Sequence, residues 1–304
     1  MKTLNIIGAG RLGQTLAHLW HAHAVFNIGA VCTRSVASAQ AAVAFIQAGS
    51  PHVFNSLNNL NDLNHLNDLP PADVWLLACP DDQLQACCEA LAASGAFQNE
   101  PVVLHCSGAL TSAAVLSSAM DRGAQVASVH PIKSFARPEW AVQDFAGTFC
   151  GVEGDAAALA VLWPAFAAIG AQCFTIKPEA KTLYHAASVI ACNYLVALQE
   201  LSIQTFAQAG VAREQAMAIL QPIVSGTVAN VFQMGTRAAL TGPIARGDVA
   251  VVVKQLQAVR EWRADYAALY QGLGALTLDL ARQNEGFDAD AAQELAQVLR
   301  ADPS

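Results

Sequence analysis

The chain has 304 residues, of which 54% are hydrophobic and 13% charged, and a formal net charge of −8. That length allows two domains, each with its own core, and the acidic balance argues against a basic surface for nucleic acid. A mean hydropathy of +0.34 sets the chain apart from disordered sequences and suggests long buried helices.

Met1 and Lys2 run straight into the first strand, with no signal peptide ahead of it. Leu4 to Ile7 is a short apolar strand, followed by a glycine turn and a helix to about His21; Ile28 to Cys32 is a second strand. Leucines recur every third residue from Leu57 to Leu69, a spacing that drifts around an α-helix, and this stretch reads as an expansion before the next strand. Further strands fall at Val74 to Ala78, Val102 to Leu104 and Val126 to Val129, separated by helix-length segments. That order predicts a parallel, doubly wound Rossmann sheet, with edge strands added at Phe149 to Val152 and Cys173 to Ile176. Ala156 to Ile176 carries no charge and could span a bilayer by length, but Pro164 and Gly170 interrupt it. A buried helix and a strand explain it better than a membrane span. From Glu179 onward the pattern is helical, which predicts an α/β domain over residues 1–177 and an all-α substrate or dimerisation domain over residues 178–304.

The turn Gly8-Ala9-Gly10-Arg11-Leu12-Gly13 matches GxGxxG between a strand and a helix. The first glycine permits the turn, the second lets backbone approach a pyrophosphate, and the third lets helix and sheet pack closely. The helix N-terminus then offers its amides to the anion. An NAD site places a carboxylate at the end of the second strand, about 20 residues on, for the ribose hydroxyls. Here that strand ends Cys32-Thr33-Arg34-Ser35, and no carboxylate precedes Asp62. Arg34, Thr33 and Ser35 are instead donors for a 2′-phosphate, which predicts NADP(H). Three other strand ends should line the cleft: Cys79-Pro80-Asp81-Asp82, His105-Cys106-Ser107-Gly108 and His130-Pro131.

Lys181 to Leu201 reads as one long, mostly buried helix. Leu183, Ala187, Ile190, Tyr194, Ala197 and Leu201 form an apolar stripe; Lys181, His185, Ser188 and Cys192 form the opposite one. A lysine and a histidine on that polar stripe point into a cleft or onto the surface. The loop from Leu240 to Asp248, bearing Arg246, precedes another helix for which Asp248 is a candidate N-cap. The eight cysteines include no CxxC pair, and no His/Cys cluster has zinc spacing, so no metal is expected and the thiols read as reduced and buried in a cytoplasmic protein.

A GAGRLG opening, an Arg34-Ser35 strand end, HCSG and HPIKSF turns, a KxxYHAAxxxxxNY helix and a TGPIARGD loop occur together. The chain thereby resembles a little-characterised family of two-domain Rossmann-like NADP oxidoreductases, similar in plan to ketopantoate reductase, pyrroline-5-carboxylate reductase and the 3-hydroxyacid dehydrogenases. The resemblance implies a lysine on the first helix of the second domain, matched by Lys181, with an asparagine one turn later. His185 stands at that asparagine's position, which leaves the substrate open; Asn193 matches the helix motif but lies off the Lys181 stripe.

The expectation is an NADPH-dependent reductase acting on the carbonyl or imine of a small carboxylate such as a 2-keto acid. Lys181 would donate the proton or stabilise the oxyanion, with His185 assisting, and His130 and Asn193 near the chemistry. Arg246, Ser107 and Asp248 are candidates for the substrate; pairing of Arg246 with Asp248 is the rival reading of that loop. A homodimer is expected through the apolar helix around Ile190. An NADP(H)-binding regulator without turnover and a deazaflavin-dependent NADP reductase are the alternatives.

Overall fold

The computed structural model describes residues 1–53 and 69–300; the leucine repeat, except Leu69, lies outside them. Eight strands form one sheet: β1 (Thr3–Ile7), β2 (Asn27–Thr33), β3 (Ser50–Val53), β4 (Val74–Leu77), β5 (Val102–His105), β6 (Gln125–Pro131), β7 (Phe149–Gly154) and β8 (Gln172–Thr175). Their order is β3-β2-β1-β4-β5-β6-β7-β8. All neighbours are parallel except β6 and β7, which run antiparallel. Of the seven predicted strands, β1, β2, β4, β5 and β6 form the parallel sheet and β8 forms the predicted edge, whereas β7, also expected at an edge, lies between β6 and β8 and runs antiparallel to β6. The sequence reading missed β3. It is an edge strand carrying Pro51, and three of its four residues are exposed, so it shows no apolar run.

Every residue of β4 and β5 is buried, as helix cover on both faces of a parallel sheet requires. The helices of this part are α1 (Arg11–Ala22), α2 (Val36–Ile46), α3 (Asp81–Ser94), two short turns α4 (Ser112–Val115) and α5 (Ser117–Met120), α6 (Pro138–Gln143) and α7 (Ala156–Ala167). One apolar cluster joins Leu16 and Trp20 of α1 to Leu162 and Phe166 of α7; the other joins Leu84 and Leu91 of α3 to Trp75 and Leu77. The Trp20 ring meets Phe166 edge-on at 5.1 Å, and its indole N–H bonds the Ala165 carbonyl. The charge-free stretch at Ala156–Ile176 is thus α7 followed by β8, as expected.

The helical part begins with α8 (Lys181–Ser188), a π-helical turn at Val189–Asn193 and α9 (Tyr194–Gln208). It continues with α10 (Arg213–Ala239), α11 (Val249–Trp262), α12 (Ala264–Ala281) and α13 (Ala289–Val298). The chain divides into two compact units, Met1–Leu195 and Val196–Ser304, so α8 belongs to the unit that carries the sheet. The second unit has its own core of Ile244, Val252, Leu278, Ala281, Leu295 and Leu299.

The expectation of a mostly buried helix is not met within the single chain. In the single chain Leu183, Ile190 and Tyr194 are 78%, 62% and 56% exposed, whereas Lys181 is 0% exposed. The reason lies in the sheet face that α8 meets, which presents Ser128, His130 and Glu153 and so takes the helix by its polar side. Two helical stretches, Pro178–Gln208 and Arg213–Ala239, are long and apolar enough to cross a membrane by length and composition.

Candidate functional site

The glycine turn shows the three geometries that its sequence requires. Gly8 has φ +89°, and a Cβ there would stand 2.6 Å from the Cys79 amide nitrogen; one on Gly13 would stand 2.8 Å from the Gly8 carbonyl oxygen. A Cβ on Gly10 would meet nothing within 4 Å, so the middle glycine faces open space where a ligand could approach. Gly10 is the N-cap of α1, with no side chain capping the helix and no acid in its first turn. The amides there are left for an anion.

The turn opens into a cavity of about 540 Å³. Gly8, Gly10, Arg11 and Leu12 line it, with Thr33 and Arg34 from the end of β2, Cys79, Pro80 and Asp81 from the end of β4, and Cys106 and Ser107 from the end of β5. Every strand end expected there contributes except His130, which lies in a neighbouring cluster. Ser35 is corrected: its hydroxyl accepts the Ser38 amide and caps α2. Ser38 lines the cavity in its place, a residue one helical turn further on whose role the linear sequence does not announce. Ser107 is buried, donates to Asp81 Oδ2 at 2.7 Å and accepts the amides of Ala109 and Leu110. It thus shapes the turn that ends at the cavity.

Beyond that turn stands a cluster of His130, Tyr184 and His185. His130 Nδ1 and the Tyr184 hydroxyl are 2.9 Å apart, and the His130 and His185 rings meet edge-on at 5.4 Å. Two glycines make room for it. A Cβ on Gly108 would stand 2.8 Å from His130 Nε2, and one on Gly151 would stand 2.6 Å from the Tyr184 hydroxyl oxygen. Burial, followed by the neighbouring His185 and Lys181, pushes His130 down to about 4, and burial first of all raises Tyr184 to about 12. At neutral pH the pair is therefore an uncharged imidazole and an uncharged phenol. The buried Nδ1 of His185 has no hydrogen-bond partner among the described residues. Tyr184 was passed over in the sequence as part of a helix motif, although it sits three residues after Lys181 and so on the same face.

Lys181 is placed differently from the expectation of a cleft or surface lysine. Its ammonium is fully buried, 2.9 Å from Glu153 Oε1 and bonded to Ser128 Oγ. Glu153 also accepts the Ser112 amide and hydroxyl, each at 2.8 Å. Burial lowers the Lys181 pKa, and the Glu153 carboxylate opposes that shift. Asn193 is exposed on the π turn and makes no side-chain hydrogen bond among the described residues. Arg246, in the second unit, is closed on Asp248 at 2.8 and 2.9 Å. Asp248 is the residue before α11, but its side chain makes no cap bond; it holds Arg246, which is the rival reading of that loop. His185 and His130 are brought together with Tyr184; Arg246 and Asp248 are brought together with each other.

Two family profiles match the chain: a Rossmann-like domain over residues 2–131 and a domain of unknown function, DUF2520, over residues 148–277. The chain is a Rossmann-like domain followed by a DUF2520 domain. Among solved structures it is similar to protein TM1727 from Thermotoga maritima, at 25% identity and TM-score 0.70, covering 92% of this chain and 98% of that one. A candidate NADP oxidoreductase, BF3122 from Bacteroides fragilis, matches at 17% identity and TM-score 0.70, with 93% and 98% covered. An imine reductase from Myxococcus stipitatus in complex with NADP+ matches at 16% identity and TM-score 0.60, with 98% and 100% covered. A search of curated proteins returned no match. The fold is thus that of a Rossmann-like domain with a helical C-terminal region.

Proposed function

We propose that the chain is an NADPH-dependent reductase that acts on the carbonyl or imine carbon of a small molecule, with a 2-keto acid as one candidate. The observation that carries this reading is adjacency. Ser107 lines the glycine-turn cavity, and Gly108 beside it lies against the His130 ring, which pairs with Tyr184. The start of α1 would hold the pyrophosphate. Arg34, Thr33 and Ser38 would hold a 2′-phosphate, and no carboxylate stands at the end of β2 to favour a free ribose hydroxyl. Bound NADPH would supply the hydride.

A carbonyl or imine that accepts hydride needs a proton at its heteroatom. We assign that donation to the Tyr184 hydroxyl, with His130 Nδ1 fixing the phenol and His185 completing the wall. A tyrosine raised to about 12 keeps its proton until the substrate's negative charge develops. Lys181 is withdrawn from direct donation, because its ammonium is enclosed by Ser128 and Glu153. With Arg246 engaged by Asp248, the partner of a substrate carboxylate is left unassigned. The chain is further proposed to work in the cytoplasm as a homodimer, the exposed apolar face of the helix around Ile190 forming the interface.

Tyr184→Phe keeps the ring and removes the proton. It should lower kcat by roughly 10²- to 10⁴-fold while NADPH affinity is unchanged. NADPH consumption across a panel of 2-keto acids and cyclic imines supplies the assay. Full activity of Tyr184→Phe would remove the tyrosine from the chemistry. NADPH binding with no turnover of any substrate would favour a cofactor sensor.

A further inference from the structure

The Lys181–Glu153 pair lies where three separate segments of the site meet. Strand register shows how. Ser128 of β6 is the cross-strand partner of Glu153 of β7, and the next pair on the same face is His130 with Gly151. Gly151 is in turn the partner of Phe174 on β8. Residues two apart on a strand share a face, so the sheet presents a polar rung, Ser128–Glu153, followed by a rung of His130, Gly151 and Phe174.

Helix α8 reads both rungs. Lys181 binds the first through Ser128 and Glu153. Tyr184 lies on the second, over the side-chain-free Gly151, between His130 and Phe174, with ring separations of 5.6 and 6.2 Å. Residues three and four apart share a helix face, at a rise of about 1.5 Å per residue, so one helical step carries α8 from one rung to the other. Glu153 has a further attachment. Both of its oxygens accept from Ser112, the first residue of α4, which follows the turn holding Ser107 and Gly108. One carboxylate and one ammonium therefore tie together the turn after β5, strand β6 and helix α8. These three segments supply Gly108, His130, and Tyr184 with His185.

A buried ion pair is a poor device for stability alone, since desolvation offsets its attraction and apolar replacements of similar volume are often neutral. It is a good device for register, because each hydrogen bond has a fixed direction. We propose that Lys181 and Glu153 are positioning residues: they touch neither substrate nor cofactor, and they hold the Tyr184 hydroxyl on His130 Nδ1. This role rests on the Tyr184–His130 pair being the reacting one. It also gives the lysine that sequence resemblance singles out a task compatible with its burial.

The test is the double variant Lys181→Met/Glu153→Leu, with Ser128→Ala as a milder companion that removes one partner of the lysine. The readout is the ring-nitrogen NMR spectrum of His130, assigned by comparison with His130→Gln. In the native chain a fixed Tyr184 contact should hold the neutral imidazole in a single tautomer. The double variant should remain folded with NADPH affinity within about twofold of native, while His130 becomes a mixture of tautomers and kcat on any reduced substrate falls at least tenfold. Ser128→Ala should show the same mixing to a lesser degree. A folded double variant whose His130 keeps a single tautomer would overturn the proposal. So would a double variant that unfolds together with a Ser128→Ala chain whose His130 is unchanged, because the pair would then serve stability only. The tautomer readout needs no substrate, so a failure of the reductase reading leaves it standing as a separate result.

Discussion

Two helical stretches of this chain look alike in sequence and behave in opposite ways. The helix Ala156–Ala167 contains no charged residue and buries Ala158, Leu162, Ala165 and Phe166 against the sheet. The stretch from Lys181 to Gln208 is similarly apolar, yet it turns its lysine inward and leaves Leu183, Ile190 and Tyr194 exposed. The difference lies in what each helix meets. The first packs in an apolar cluster with Trp20, Val129 and Val152, whereas the second meets the Ser128–Glu153 rung. Apolar composition says that a surface will be covered; it does not say whether the same chain covers it.

The largest effect expected from this contrast concerns assembly. If the outward stripe is covered by a second copy, Ile190→Asp combined with Leu183→Asp should raise the dimer dissociation constant at least 100-fold, about 2.7 kcal/mol. Sedimentation velocity reads the change. A native chain that is monomeric at all concentrations would end the dimer reading, and vesicle binding by the same helices would point to a membrane face.

The inward side should show itself in acid. His105, fully buried near Lys181, is pushed down to about 3 from an ordinary 6.5, by burial first and the lysine second. Its folded value is the lower one, so below pH 6.5 the unfolded chain binds a proton that the folded chain refuses. Stability should therefore fall as pH drops from 6.5 towards 3, by about 1.4 kcal/mol per pH unit from this group. Thermal unfolding between pH 7 and pH 4 measures the slope, and His105→Asn should make it shallower. An equal slope in the variant would place the acid sensitivity elsewhere.

Most of the sheet was legible because its strands are buried on both faces and read as short apolar runs. The glycine turn was legible because its function demands a residue type at each position. Ser38 was missed because it reaches the cavity only after α2 turns it there, and Ser35 was over-read because the hydroxyl beside Arg34 is needed as a cap. Tyr184 and Glu153 were missed for a different reason. They matter through cross-strand register and helix facing, which bring residues 128, 153 and 181 together. A linear reading names Lys181 by its helix stripe and its resemblance and has no means of finding its partner.

The most direct measurement is a titration of the purified chain with NADPH and with NADH, repeated on Arg34→Asp. The expected result is NADPH bound at least tenfold more tightly than NADH, a gap of about 1.4 kcal/mol, erased or inverted by the substitution. Equal affinity for the two cofactors, or binding of neither, would contradict the assignment of the Gly8–Gly13 cavity to NADP(H).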